Sequence, residues 1–169
     1  MANKAKKVEK IVMILVGMTL IVCVYIGFEL GKIWDGYKVV RVVDGDTVMI
    51  KSRRTGEETR FRLMGINAPD LNQCFFDQSA GILEASLRNK SLRVEIKGRD
   101  GFGRFLGNLY AGNTDVAETL VRSGAAWAYM ADGVHDKLKP ELAYFEKLQK
   151  MEDRPKTEKI GVWSDLCMK

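Results

Sequence analysis

A single histidine, His135, stands in the 169-residue chain, and that scarcity removes whole classes of chemistry. Zinc sites built from several imidazoles are excluded, and a histidine-centred nucleophilic triad has no support. His135 itself, just ahead of a helical pattern, reads as a surface or capping residue. A phosphate-cradling glycine loop is also missing: "RDGFGRFLG" is rich in glycine but leads into a strand rather than a helix N-terminus. No internal repeat or low-complexity tract occurs. Nor is there a large excess of one charge. The formal charge is +5, but residues 1–38 hold six basic and three acidic residues, which leaves only +2 for the rest. Recognition of a polyanion would therefore rest on where individual cations stand, not on the overall field.

Charge is locally absent from residues 11–28, "IVMILVGMTLIVCVYIGF", a run of eighteen closed by Glu29. That is near the lower end for a membrane-spanning helix, which needs about 17–25 apolar residues. Lys4, Lys6, Lys7 and Lys10 precede it, so the positive-inside rule places a basic tail, residues 1–10, in the cytoplasm and everything after residue 31 outside. The competing reading is a cleaved signal peptide. Against it, no A-x-A-like site follows and the run exceeds the usual apolar core of about 7–15 residues. The expected organisation is a tail (1–10), a signal-anchor helix (11–30), a linker (31–36) and a domain (37–169). Cysteine is scarce too. Of three, Cys23 lies in the apolar run, which leaves Cys74 and Cys167 either as a bridge suited to an oxidising compartment or as two separate thiols.

Within the domain, residues 37–43 are Val-rich, Asp44-Gly45 reads as a hairpin turn, and "TVMIK" resumes the strand pattern. A second turn at Thr55-Gly56 leads into "TRFRLMGI", giving an antiparallel meander. Asp77 is expected to cap a helical pattern with Ala80, Leu83 and Leu87 on one face. "SLRVEIK" and "FLGNLYA" supply the fourth and fifth strands. A short helix is expected over 115–123, ending at Gly124, and the last helix sets Leu138, Leu142, Phe145 and Leu148 at helical spacing until Pro155 stops or kinks it. The expected fold is α+β and mainly β: a five-stranded Greek-key barrel of the OB type with three packed helices, preceded by one transmembrane helix.

The residues left to carry chemistry are carboxylates and arginines. Asp44 and Asp46 flank one turn, Asp70 follows another, and Arg62 and Arg104 lie in or beside strands. Hard oxygen ligands suit Ca²⁺ or Mg²⁺, and arginine forks suit phosphate. Taken singly, each has a bland explanation as a turn former or a solvated strand residue.

The segments "VDGDTVMI", "FRLMGINAPD", "DGFGRFLGNLY", "VAETLVRSGAAWAY" and "GVWSD" occur in the order found in the thermonuclease (staphylococcal nuclease-like) family, and the chain resembles that family over about residues 37–165. The resemblance implies an OB-type barrel with three helices and Ca²⁺-dependent hydrolysis of DNA and RNA phosphodiesters, with no small-molecule cofactor. It casts Asp46 as a metal ligand with Asp44 in support, and Ala68 as a ligand through its backbone carbonyl. Arg62 and Arg104 correspond to the phosphate-clamping pair. Phe102 stands where the family has a tyrosine beside the nucleotide, and Tyr129 is placed either to stack on a base or to pack on the barrel. Two positions depart from the family pattern. Asn67 replaces a metal-binding aspartate, removing one charge from a site whose affinity follows charge count. Asp70 replaces the glutamate that activates water, and is one methylene shorter. A metal-dependent nuclease with a weakened site is thus the first reading. A catalytically inactive OB-fold module that binds nucleic acid is the second, and an anchored domain that contacts another protein is the third. The oligomeric state, and the choice between DNA and RNA, stay open.

Overall fold

The structure is a computed structural model that describes residues 13, 15–19, 36–130 and 139–168. The chain divides into two compact units, Met1–Asp35 and Gly36–Lys169. Of the expected anchor, the described residues are Met13 and 15–19, which are helical. The rest of it, Cys23, the linker before Gly36, His135 and Leu138 lie outside the described residues. Among the described residues no helix is long and apolar enough to cross a membrane.

The second unit is built on five principal strands: β1 (Tyr37–Val42), β2 (Thr47–Ser52), β3 (Glu58–Leu63), β5 (Leu92–Arg99) and β6 (Phe105–Ala111), with β4 (Ile66–Asn67), β7 (Thr114–Asp115) and β8 (Trp127–Ala128) as short pieces. Strand order is β1-β2-β3-β6-β5, with β7 on β6, and β4 pairs separately with β8. The sheet curls until β1 meets β5, a half-barrel rather than a fully hydrogen-bonded ring. Bulges between Val39 and Arg41 and between Ile96 and Gly98 supply the bend. The β1-β2-β3 meander follows the alternation of the sequence, with Val48, Ile50, Phe61 and Leu63 fully inward. Each such side chain contributes about 1.5–3 kcal/mol through burial.

One pairing has no local signature: β3 runs parallel to β6, with Phe61 opposite Phe105 and Arg62 opposite Leu106. Parallel neighbours need a long crossover. Helix α1 (Phe76–Leu87) and β5 provide it. The pairing puts Arg62 and the residues just before β6 at the same end of the barrel.

Helix α1 buries Ser79, Leu83 and Leu87. Asp77 sits in its first turn rather than capping it. The capping position belongs to Phe75, which makes no side-chain cap. Helix α2 (Val116–Arg122) is capped by the Asp115 carboxylate, which accepts from the Ala117 N–H at 2.9 Å. It ends at Gly124, whose φ of 69° is the left-handed value that a C′ glycine supplies without a Cβ penalty. Helix α3 (Lys139–Met151) buries Leu148 and half-buries Tyr144, Phe145 and Met151, while Leu142 is exposed. Phe145 and Leu148 face inward as their spacing predicts and Leu142 does not; Tyr144 joins the inward face, where its hydroxyl donates to Asp115 at 3.0 Å. A break at Glu152 separates α3 from α4 (Asp153–Thr157), where Pro155 is tolerated in the first turn. A single 3₁₀ turn, Gly161–Trp163, follows.

Candidate active site

The turn between β1 and β2 carries Asp44, Gly45 and Asp46. Asp44 folds its own loop: its Oδ1 accepts from the Asp46 N–H at 3.0 Å. Gly45 allows a close approach, because a Cβ there would meet the Ser79 Oγ and would lie 2.6 Å from the Ala68 Cβ. The two turns are thereby pressed together.

Asp46 is the centre of the contact. Its carboxylate accepts from the Thr47 hydroxyl at 2.9 Å, from the Ala68 N–H at 2.7 Å and from the Arg62 guanidinium at 2.9 Å. Arg62 reaches further: its Nη2 donates to the Asn67 Oδ1 at 2.9 Å and its Nη1 to the Leu63 carbonyl at 3.2 Å. One guanidinium therefore bridges Asp46 and Asn67, with both members of the ion pair nearly buried. Burial raises the Asp46 pKa to about 6, more than Arg62 and the Ala68 N–H lower it, and neighbouring Asp44 raises it further.

Arg62 and Asn67 share a cleft of about 440 Å³ with Phe102, Arg104 and Tyr129. Tyr144 and Phe145 of α3 close its far side. Arg104 is held by Asp100, whose Oδ2 accepts from the Arg104 Nε at 2.6 Å while its Oδ1 accepts from the N–H groups of Phe102 and Arg104 at 2.9 and 3.0 Å. Burial alone would raise the Asp100 pKa. The Arg104 side chain and these N–H groups outweigh it, and the carboxyl ends below its usual range. Phe102 projects from the tip of the β5–β6 turn, 88% exposed, with the Arg104 guanidinium 5.4 Å from its ring centroid. Tyr129 is 45% exposed on the cleft wall.

The candidates thus fall into two groups. Arg62, Asn67, Phe102, Arg104 and Tyr129 line the cleft, while Asp46, Ala68 and Asp44 stand behind Arg62. Ala68 touches Asp46 through its N–H. Asp70 is exposed, and its N–H donates to the Gln73 Oε1 at 2.7 Å. Its carboxylate takes part in no hydrogen bond among the described residues. Cys74 and Cys167 are joined, Cα to Cα 5.2 Å, across 93 positions. Sequence reasoning missed Asp100, although an aspartate opening a glycine-containing turn is a recognisable signal. It also missed Tyr144 and Phe145, for which no signal precedes knowledge of how α3 docks.

Among the described residues no cluster of three or more His, Cys, Asp or Glu is present. The donors gathered at the two turns are the Asp46 carboxylate and the Asn67 side-chain oxygen, with Ala68 beside them. All are oxygen ligands, as Ca²⁺ requires, and they include a single buried carboxylate. This donor set fits a hard divalent ion in kind, with less charge than two carboxylates would give.

Two arginines facing a cleft, one backed by a buried carboxylate, define a site for an anion with spread charge, such as a phosphodiester. Comparison with known proteins agrees. Residues 60–165 match the family described as staphylococcal nuclease homologue. An uncharacterized endonuclease of Escherichia coli O157:H7 is 33% identical over 129 residues, spanning 76% of each chain. The micrococcal nuclease of Shigella flexneri is 31% identical over 143 residues, covering 78% of this chain and 76% of its own. Protein ParB of Escherichia coli is 28% identical over 138 residues, covering 76% of this chain and 72% of its own. The chain belongs to the staphylococcal nuclease family.

Proposed function

We propose that the chain is a nuclease that hydrolyses phosphodiester bonds of DNA or RNA with the help of Ca²⁺, at a site weaker than the family pattern. The observation that carries this reading is the shared cleft: Arg62 and Arg104 face it together, and Arg62 is bound to Asp46 and Asn67. Asp46, the Asn67 oxygen and the Ala68 carbonyl would hold the ion, which when bound supplies positive charge against the phosphoryl oxygens and lowers the pKa of bound water. Arg62 has N–H groups beyond those it spends on Asp46, Asn67 and Leu63, and these meet the scissile phosphate. Arg104, preset by Asp100, meets it from the turn before the neighbouring strand β6. Together they neutralise the charge that develops as water attacks. Asp70 accepts the proton from the attacking water as the water oxygen bonds to phosphorus, the P–O bond to the leaving sugar oxygen breaks, and that oxygen takes a proton from solvent. Phe102 and Tyr129 flank the nucleotide, where base–aromatic stacking is worth about 1–3 kcal/mol.

We further propose an extracytoplasmic domain tethered by residues 11–30. The uncharged run, the lysines before it and the Cys74–Cys167 bond support this placement.

A second reading has its own support: Asn67 leaves one carboxylate at the metal position, and Arg62 already engages its oxygen. On this reading the domain binds nucleic acid without cutting it. Incubation with DNA and RNA in millimolar Ca²⁺ separates the two. The nuclease reading requires cleavage that chelation stops. Salt-dependent retention of intact strands, with cutting only in Asn67→Asp, would instead establish the silent module.

A further inference from the structure

Asp70 begins a loop, residues 70–75, whose backbone is unusual. Asn72 and Phe75 both lie at positive φ, 70° and 72°. Left-handed backbone is rare for a bulky aromatic residue and persists only where surrounding structure imposes it. Inside the loop, the Gln73 N–H donates to the Asp70 carbonyl at 2.9 Å while the Gln73 side chain accepts from the Asp70 N–H. The restraint from outside comes from the C-terminal residues 161–167.

Three contacts form it. A Cβ on Gly161 would meet the Gly124 carbonyl and stand 3.2 Å from the Phe75 ring, so the segment runs tight against both. The Val162 N–H donates to the Gly124 carbonyl at 2.9 Å, which fixes its height. Trp163 meets Trp127 edge-on at 6.5 Å, and Trp127 is the β8 residue opposite Asn67. Cys167 then closes the segment on Cys74, four residues after Asp70.

We propose that residues 161–167 form a strap that positions Asp70, with the Cys74–Cys167 bond as its clasp. This rests on the nuclease reading, in which Asp70 is the base. An aspartate has one rotatable bond fewer than a glutamate, so its carboxylate follows the backbone more closely, and an error of about 1 Å can cost ~10²-fold in rate. A short base needs a fixed loop, and the strap fixes it. Cys74, Cys167, Phe75 and Gly161 are positioning residues. None touches the substrate.

The test is a double-mutant cycle on the 169-residue chain, well below its melting temperature, with folding checked by circular dichroism. Cys74→Ala/Cys167→Ala is expected to lower kcat about 10- to 100-fold while KM, set by the cleft, moves less than about 2-fold. In an Asp70→Asn background the same cysteine changes should leave the residual rate within about 2-fold. An equal loss in both backgrounds, or an unchanged kcat, overturns the proposal. If the double variant fails to fold, the native chain is opened with dithiothreitol, which reduces the S–S bond to two thiols and itself closes to a cyclic disulfide. The same kcat and KM criteria then apply. Amide exchange probes the loop independently of cleavage. Opening the bond should speed exchange at residues 70–76 and spare β2 and β3, and unchanged exchange at 70–76 refutes the strap even if the chain cuts nothing. Absence of cleavage with faster exchange at 70–76 counts against the nuclease reading while upholding the strap.

Discussion

Asp46 sets stability against function. Its folded pKa, about 6, exceeds the ordinary 3.8 because burial penalises the charge. Between those values the folded state binds more protons than the unfolded chain, so this group's contribution is present below about pH 4 and lost as pH rises through 6. Asp46→Asn removes that loss while keeping an oxygen for the Ala68 N–H. Leaving Arg62 without its carboxylate carries a cost that does not vary over this range, so the stability of the variant relative to the parent should rise between pH 4 and pH 7.5, and its activity should be lost. Calorimetric melting at the two pH values checks it. An equal stability change at both would contradict the assignment. Asn67 is the complementary case. Asn67→Asp restores a second carboxylate beside Arg62, and the Ca²⁺ concentration for half-maximal binding should fall by at least about 10-fold, as charge count dictates. Titration calorimetry reads this directly.

At the scale of elements, the β5–β6 turn is the part that delivers Arg104. Asp100 accepts from two N–H groups and from the guanidinium, so one carboxylate shapes the turn and aims the arginine. Asp100→Ala should reduce kcat/KM about 10-fold or more with a small shift in melting temperature, because Arg104 regains its rotamer freedom. Single-turnover kinetics beside a melting curve separates the two effects. The strands themselves were legible, since alternation in "TVMIK" and "TRFRLMGI" defines which face is buried. The parallel β3–β6 pairing was not, because strands far apart in sequence choose partners through the global closure of the sheet. Asp77 looked like a cap by residue type, yet the loop before α1 enters through Phe75. On α3 the expected stripe held at Phe145 and Leu148 but not at Leu142, and Tyr144 joins it, its hydroxyl paired with buried Asp115.

For the whole molecule, the candidate site divides between what motifs carry and what packing decides. Arg62, Asn67, Phe102, Arg104 and Tyr129 come to one cleft. That Arg62 links Asp46 to Asn67 could not be read from spacing, since it depends on how two turns press together across Gly45. The Cys74–Cys167 bond closes a loop of 93 positions over the same unit. In the chain-entropy model a loop of that size is worth about 4–5 kcal/mol. Replacing both cysteines should therefore lower denaturant stability by about 2–5 kcal/mol and steepen the transition, because the unfolded chain without the crosslink is less compact and exposes more surface.

The central claim is that the two acidic turns still form a working site. Cleavage of single-stranded DNA by the purified chain, with Ca²⁺ titrated into the millimolar range and Arg104→Ala in parallel, tests it most directly. The account predicts Ca²⁺-dependent cutting that falls at least about 10²-fold in Arg104→Ala. Intact DNA at every Ca²⁺ concentration, from a folded chain that still binds the strand, would contradict it.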